Sequence, residues 1–410
     1  MINKNHTIEI LIITLILGLL FYSSDPVLYS DSARYLKGSL NDPPLYSTII
    51  VIMQSAFRTL NSIIILQTLF IGFGIVFFTK TISKYFDLDV LTKGIVAIFL
   101  FLPIIKFYNN LLTEALSYAF SLLFVSFVVN LIYNFSIRNL VWTSIFIVSL
   151  LLMRNQFIFL YPIVLILYLG ILSISRSKKK LILLAISFIF TIFAHNSLVS
   201  LNKYIKKASF ENEILLESKS NSVFNFIYID AIYISSVKDI GLFEDESLKK
   251  TFAKIIQEID SQRTLVEYYN GRGHFGVSFN IIIGISDLPL KALAIQKKTT
   301  VISLKKEIAI KLIKSNFKKY LKFLFKKFYD SAWLFIFIPF FMLLAASISF
   351  FKKKTNFTLF LIFLSTFTLS NHSTVYLFGR IQPRYLIYTD FILLIFIFVI
   401  FSMFLKTKFR

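Results

Sequence analysis

The feature that most constrains this chain is a series of apolar runs that recur from one end of the sequence to the other. Runs of about 18 to 22 residues match the roughly 30 Å hydrocarbon core of a bilayer, and they are too long and too numerous for a soluble domain. They are continuous stretches of Ile, Leu and Phe, whereas a membrane β-barrel would show alternating segments of about ten residues. The sequence therefore predicts an all-α polytopic membrane protein, a helical bundle with about ten transmembrane helices.

The apolar runs also give the predicted boundaries of the spans. The predicted spans cover 8–23, 60–79, 93–107, 115–133, 139–153, 157–174, 181–201, 331–351, 355–370 and 385–405. They divide the chain into an N-terminal transmembrane module (1–201), a long hydrophilic loop between spans 7 and 8 (202–330) and C-terminal transmembrane helices (331–410). Within the module, the first loop (23–58) contains a short apolar segment (45–57), which we predict to be an interfacial helix because a proline pair precedes it.

The basic residues predict how the spans are oriented. They cluster beside alternate span ends, at Lys80 and Lys84, Arg138, 176–180, 352–354 and 406–410. Cytoplasmic loops carry an excess of Lys and Arg, so these clusters indicate a cytoplasmic N-terminus. The first loop, Glu114, Arg154 and the 202–330 region then face outward. This pattern predicts a multi-pass protein of the cell inner membrane with its active site facing the periplasm or exterior. It also attributes the net charge of +22 to this orientation and to attraction to anionic membrane lipids, and not to nucleic-acid binding.

Several kinds of chemistry are excluded by residues and motifs that the sequence lacks. There is no cysteine, which excludes disulfides and thiol catalysis. There is no Walker motif and no Gly-x-Ser-x-Gly elbow, and the glycine-rich stretch 271–276 has no strand and helix around it, which indicates a loop turn. The four histidines are scattered without metal-ligand spacing. An enzyme of this composition would have to use acids and arginines at the outer membrane face.

Acids and arginines at the outward-facing span ends are therefore the candidate functional residues. They are Asp25 and Asp31 in the first loop, Glu114 before span 4, and Arg154, Arg380 and Arg384 near later spans. A carboxylate can remove a proton from an attacking sugar hydroxyl, and a guanidinium binds a leaving phosphate through two parallel hydrogen bonds. For each residue alone a structural role is the alternative, because loop aspartates cap helices and interfacial arginines extend toward water. Their predicted convergence on one membrane face favours a functional site.

The 202–330 region contains two helical patterns, at about 245–260 and 300–328. Between residues 291 and 327 there are 12 lysines and one acid, Glu307. The lysines at 311, 314, 318 and 322 fall at helical spacing opposite apolar residues, which predicts an amphipathic helix on the outer leaflet. An alternative interpretation is that these lysines attract a phosphate-bearing lipid toward the site.

Four short motifs resemble a known group of enzymes. The first loop contains Asp31-Ser32-Ala33-Arg34-Tyr35 and then Pro43-Pro44-Leu45-Tyr46. Together these resemble the first external loop of GT-C superfamily glycosyltransferases of the protein mannosyltransferase-like and lipid A aminoarabinose transferase-like kind. Thr113-Glu114-Ala115-Leu116 is similar to the acidic residue between their spans 3 and 4, and Arg384-Tyr385-Leu386 to their late Arg-Tyr pair. The resemblance covers about residues 1–170 and, more loosely, the last 30 residues.

The resemblance implies a GT-C-like fold and an inverting transfer of a sugar from a polyprenyl-phosphate donor to a glycan or glycolipid acceptor. Asp31 matches the catalytic base. The substrate-binding residues that we predict are Asp25, Tyr35, Glu114, Arg154, Arg380, Arg384 and Tyr385. Of these, Tyr35, Glu114, Arg384 and Tyr385 lie in the motifs that carry the resemblance, and the other three are candidates because of their outward-facing positions. In the family a second acid often follows the base directly, whereas Ser32 stands here. We therefore assign no metal and no other cofactor, and participation of a divalent metal stays open.

Two other functions fit part of the pattern. A polysaccharide polymerase that joins lipid-linked repeat units also has about ten or more spans, a large external loop and catalytic arginines. A flippase or transporter would instead require charges buried at mid-span and broken helices, and the predicted spans carry almost no acids. The first loop with Asp31 and Pro43-Pro44 favours the transferase.

Overall fold

The computed structural model describes residues 7–22, 25–29, 31–37, 42–207, 223–271, 275–378 and 383–408. Regular structure in these ranges is helical, and the β-type pairing they contain is a single parallel bridge between Val27 and Asn110. Helices satisfy their own backbone hydrogen bonds, which is what lipid requires of a spanning segment. The prediction of an all-α class is confirmed.

The chain divides into two compact units, which are described separately. The first unit comprises Met1–Phe210, Ile338–Asn371 and Leu386–Arg410, and the second comprises Glu211–Phe337 and His372–Tyr385. The predicted parts 1–201, 202–330 and 331–410 stay a sequence-based prediction.

Most helices lie entirely within one of the two units, and three helices continue from one unit into the other. Helices of the first unit are α1 (Thr7–Tyr22), α2 (Ser32–Lys37), α3 (Pro44–Phe57), α4 (Asn61–Phe86), α5 (Val90–Phe101), α6 (Glu114–Tyr133), α7 (Ile137–Met153), α8 (Leu160–Ser175) and α9 (Lys178–Lys207). Helices of the second unit are α10 (Val223–Ile234), α11 (Glu246–Ser261), α12 (Arg263–Gly271), α13 (Phe275–Gln296) and α14 (Val301–Ser315). The shared helices are α15 (Phe317–Lys352), α16 (Asn356–Phe378) and α17 (Pro383–Lys408). Short 3₁₀ turns lie at Leu102–Lys106, Asn155–Phe159 and Val237–Leu242.

Seven helices in the described ranges are long and apolar enough to cross a membrane. They are Asn61–Phe86, Glu114–Tyr133, Asn155–Ser175, Lys178–Ile205, Val277–Gln296, Leu334–Lys352 and Tyr385–Phe404. Six of them coincide with predicted spans. By length and composition this is an all-α, multi-pass membrane protein.

The remaining predicted spans correspond to helices that are shorter or less apolar. The predicted span at 93–107 is not one helix, because α5 ends at Phe101 and a 3₁₀ turn with Pro103 near its start follows. Helices α1 and α7 have 16 and 17 residues, and α16 has 23 residues interrupted by Ser, Thr, Asn and His. Conversely, α13 was predicted to be part of the external region. Its apolar side chains pack in the core of the second unit.

Helix α6 is the most buried candidate span of the first unit, because 89% of the residues in its most apolar stretch are buried inside the protein. Small residues allow close packing: a Cβ at Gly74 of α4 would lie 3.2 Å from the Ala119 carbonyl oxygen of α6. The hydroxyls of Ser121 and Ser126 donate to carbonyls one turn earlier, at 2.8 and 2.7 Å, so they need no outside partner. Because α6 begins at Glu114, this packing fixes the position of that carboxylate.

The first loop is fastened to the residues that precede α6. Val27 donates to the Asn109 carbonyl at 2.9 Å and accepts from the Leu111 amide at 3.0 Å. The Ser32 hydroxyl donates to the Leu111 carbonyl at 2.9 Å. Gln67 of α4 donates to the carbonyls of Tyr108 and Asn110. The backbone bonds of Val27 and the Ser32 hydroxyl therefore hold the first loop and the start of α2 beside the start of α6.

The second unit has its own apolar core, and α14 contributes to it. Leu304, Ile308 and Leu312 of α14 are buried there. The amphipathic helix predicted at 300–328 is in fact two helices, because α14 ends at Ser315 and α15 begins at Phe317. The Asn316 amide between them donates to the Asp239 carboxylate at 2.9 Å. The apolar face of α14 thus packs on protein. Whether the remaining part of the predicted helix, in α15, lies on the outer leaflet stays a prediction.

Two lysines of the second unit are buried in ion pairs. Lys327 of α15 lies 3.0 Å from the Asp230 carboxylate of α10, with side chains 5% and 9% exposed. Lys305 of α14 contacts the Asp287 carboxylate at 2.7 Å and the Asn225 amide oxygen at 3.0 Å. Burial raises the pKa of Asp230, and the attraction of Lys327 opposes that rise.

Replacing Lys327 with methionine should destabilise the second unit by about 3 kcal/mol at neutral pH, because it leaves a buried carboxylate without its cation. The Asp230 pKa is higher in the folded than in the unfolded protein, so protonation at low pH favours folding and stability falls as pH rises through the folded pKa. Without Lys327 this pKa rises further. Thermal melts of the full chain should therefore show a smaller defect at about pH 5 than at about pH 8. An equal defect at both values would contradict this account.

Candidate functional site

The first-loop helices bring two tyrosines together. Tyr35 lies in α2 and Tyr46 in α3, which begins at Pro44 with the fixed φ that suits a first helical residue. Their rings meet edge to face with centroids 5.2 Å apart. Both side chains are buried, with Tyr46 fully so. The Tyr46 hydroxyl has no hydrogen-bond partner among the described residues.

A buried ion pair joins the start of α6 to the end of α7. Glu114, the first residue of α6, lies 3.0 Å from Arg154, which follows α7; their side chains are 3% and 15% exposed. Arg154 Nη1 also donates to the Thr113 hydroxyl at 2.8 Å and to the Tyr388 hydroxyl of α17 at 3.2 Å. One guanidinium therefore links three helix ends that are distant in sequence.

Arg34 lies between two aspartates of the first loop. Its guanidinium is 3.6 Å from Asp31 and 3.6 Å from Asp42. The Asp31 side chain is 36% exposed, whereas that of Asp42 is 8% exposed. Asp31 is thus the carboxylate that water or an acceptor could reach, and Asp42 holds Arg34 from the buried side.

Electrostatic effects join the tyrosines to the ion pair. Burial raises the pKa of Tyr35 to about 12; the Arg154 charge opposes this rise, and Glu114 and Asp42 add to it. Burial also raises the pKa of Tyr46 well above its usual value, with the Glu114 charge as the next contribution. Both phenols therefore keep their protons at physiological pH and can donate hydrogen bonds.

A second polar network lies beside this site in the first unit. The Gln156 side chain, two residues after Arg154, donates to the Asn371 amide oxygen, and the Asn371 amide donates to the Thr389 hydroxyl at 3.0 Å. Asn371 and Thr389 are fully buried. This chain of amides fixes the turn after α7 relative to α17, because each buried polar group has a defined partner.

The predicted site residues differ in where they lie. Tyr35, Glu114 and Arg154 come together. Asp31 is connected to them indirectly: it contacts Arg34, which also contacts Asp42, and the Asp42 charge acts on Tyr35. Asp25 is exposed. Tyr385 is half-buried in α17, and Arg384 lies in the first turn of the same helix, with its side chain outside the described part. Arg380 lies outside the described residues altogether.

Several members of the cluster were not predicted as site residues. They are Arg34, Asp42, Tyr46, Thr113 and Tyr388, and the neighbouring amides Gln156 and Asn371. Four of the seven, Arg34, Asp42, Tyr46 and Thr113, lie within or beside the motifs that carry the family resemblance, so the sequence offered a signal for them. Tyr388 follows Arg384 by four residues, one helical turn later, which also marks it. Asn371 carries no such signal.

The cluster offers acids, phenols and two guanidiniums, those of Arg34 and Arg154. Among the described residues, no three His, Asp or Glu side chains come close enough together to hold a metal ion. Glu114 also lines a small crevice with Ile104, Phe107, Tyr118 and Ile387. An exposed carboxylate beside buried hydrogen-bond donors can take a proton from a hydroxyl and hold a polar substrate.

No known protein family, curated protein or solved structure matches this chain.

Proposed function

We propose that this chain is an inverting glycosyltransferase that moves a sugar from a polyprenyl-phosphate donor to a glycan or glycolipid acceptor of the cell envelope. It would act at the external face of the inner membrane. The observation that carries the proposal is the cluster that joins the Asp31 loop to the Glu114–Arg154 pair. The resemblance to the GT-C superfamily supplies the reaction class.

In the proposed step, an acceptor hydroxyl attacks the anomeric carbon of the donor sugar. The new carbon–oxygen bond forms as the bond to the lipid phosphate breaks, and that phosphate leaves with the bonding electrons. Asp31 takes the hydroxyl proton, because its carboxylate is the exposed one of the pair that Arg34 holds. Attack from the face opposite the leaving group inverts the anomeric centre.

The other residues of the cluster position the reactants. Arg154 holds Glu114, Thr113 and Tyr388 in place, so it supports the site and need not itself contact phosphate. In the proposal, Tyr35 and Tyr46 donate hydrogen bonds to the sugar or acceptor after the first loop opens, because the Tyr46 hydroxyl is fully buried in this structure. The same opening would let Glu114 accept from a sugar hydroxyl, because the crevice beside it, about 10 Å³, holds no more than a water molecule. Once substrate is bound, hydrogen-bond donors held in place in this way lower the barrier of the chemical step.

The experiment is a transfer assay with the full chain in proteoliposomes. Polyprenyl-phosphate sugars are supplied as donors with an extract of envelope glycolipids as acceptor, and products are identified by mass and anomeric configuration. One added sugar with inverted configuration supports the proposal. Products that grow by whole repeat units would assign the chain as a polymerase instead, and movement of intact donor across the bilayer without a new bond would assign it as a flippase.

Tyr46→Phe separates a substrate role of the hydroxyl from a structural one. The hydroxyl is buried with no partner among the described residues, and an unsatisfied group of this kind costs about 1–3 kcal/mol. Its removal should therefore leave the melting temperature unchanged or raise it. If the hydroxyl binds substrate, transfer should fall by roughly ten-fold or more, since one hydrogen bond is worth about 1.5 kcal/mol. A destabilised variant, or a stable variant with full activity, would contradict the assignment.

A further inference from the structure

Helix α15 presents an exposed basic and aromatic face immediately before a membrane-spanning segment. Lys322, Phe325, Lys326 and Tyr329 follow one another at helical spacing and form what we term the juxtamembrane face. Phe325 is 73% and Tyr329 is 62% exposed, and both lysines are exposed. The sequence holds no acid between Phe317 and Tyr329. Large exposed aromatic side chains on a soluble surface are costly unless something covers them.

Contacts within the second unit settle which side of α15 faces outward. The Phe323 ring packs on Tyr233 with centroids 4.7 Å apart, and Lys327 pairs with the buried Asp230. These residues lie on the side of the helix opposite the juxtamembrane face. The juxtamembrane face is therefore not turned into the core of its own unit.

The distance along the helix brings this face to the level of lipid headgroups. The predicted span in α15 begins at residue 331, so Tyr329 and Phe325 precede it by about 3 and 9 Å at 1.5 Å per residue. The headgroup layer on each side of a bilayer is roughly 5–8 Å deep. Tyr329 thus falls within that layer and Lys326 at its outer edge, where a long lysine side chain can reach a phosphate. Aromatic rings favour the same interface.

We infer that the juxtamembrane face binds anionic phospholipid headgroups of the leaflet at this end of α15. The lysines supply the charge and the aromatic rings the apolar contact, which is the composition of a membrane-surface helix. This inference does not depend on the proposed transfer reaction. It assigns part of the lysine-rich segment to the bilayer itself and not to a substrate.

The experiment uses the full chain in nanodiscs that contain equimolar phosphatidylglycerol and phosphatidylcholine. The photoreactive amino acid p-benzoylphenylalanine replaces Tyr329, and lipid adducts are identified by mass after irradiation. Phosphatidylglycerol adducts should exceed phosphatidylcholine adducts by about three-fold or more, because each lysine near the surface adds roughly 1 kcal/mol of attraction to anionic lipid. K322Q/K326Q should reduce the ratio to that of the mixture.

The matched control is K250Q/K254Q, which removes two exposed lysines at the same spacing from α11. It should leave the adduct ratio unchanged, and melting temperatures should show that both double variants fold. Equal adducts of the two lipids would overturn the inference. So would adducts to protein alone, or a preference for phosphatidylglycerol that survives K322Q/K326Q.

Discussion

Under the proposed function, replacing Asp31 with asparagine should reduce sugar transfer by roughly 10²–10⁴-fold, the range that a general base contributes, and leave the protein folded. The fold should tolerate the change because the side chain is 36% exposed and its contact with Arg34 is a long one, 3.6 Å. An asparagine of the same shape cannot accept the proton. The measurement is the initial rate of transfer in proteoliposomes, with the melting temperature of the same preparation.

Two variants make this result interpretable. Asp87→Asn is the matched control, because Asp87 is exposed at the end of α4 with φ of 46°, a conformation that asparagine adopts readily. Its transfer rate should equal that of the unmodified protein. Asp42→Asn tests the other carboxylate held by Arg34. Full activity in Asp31→Asn together with inactivity in Asp42→Asn would move the base to Asp42 and reject the assignment made above.

Replacing Arg154 with methionine should have the largest effect on stability, about 3–5 kcal/mol, because it leaves the Glu114 carboxylate buried without a cation. The Thr113 and Tyr388 hydroxyls lose their shared donor in the same variant. A loss of this size should lower the melting temperature by on the order of 10 °C. Transfer activity should disappear with it.

The double variant Arg154→Met/Glu114→Met should recover most of that stability, because no charge is then left buried. It should stay inactive if Glu114 binds substrate. As a control, Glu246→Gln removes one partner of an exposed ion pair, Lys249–Glu246, and should change stability by less than about 0.5 kcal/mol. If the single and double Arg154 variants were equally unstable, lost packing and not charge burial would explain the defect.

Sequence patterns were sufficient for the class of fold and for part of the site. Apolar runs of membrane length predicted six of the candidate spans, and the pattern at 245–260 matches α11. The first-loop motif and the Thr113-Glu114 motif contain residues that lie together in the structure. These features are local, so residue type and spacing are enough to predict them.

Features that depend on tertiary contacts were missed. Asn316, at the break between α14 and α15, donates a hydrogen bond to Asp239, 77 residues away, and helical periodicity alone continues through this position. Helix α13 has the composition of a span, yet it packs in a protein core, because apolarity does not distinguish the two environments. Tyr388 meets Arg154 across 234 residues of sequence. No spacing rule relates positions so distant.

That long separation has a consequence for biosynthesis. Arg154 is translated well before Tyr388, so a nascent chain carries this arginine without one of its hydrogen-bond partners until α17 has been made and inserted. The turn after α7 is likewise without its amide partners until Asn371 arrives. Ribosomal products that stop short of α17 therefore hold a polar, incompletely paired cluster at a helix end, the kind of defect that membrane quality-control proteases can recognise.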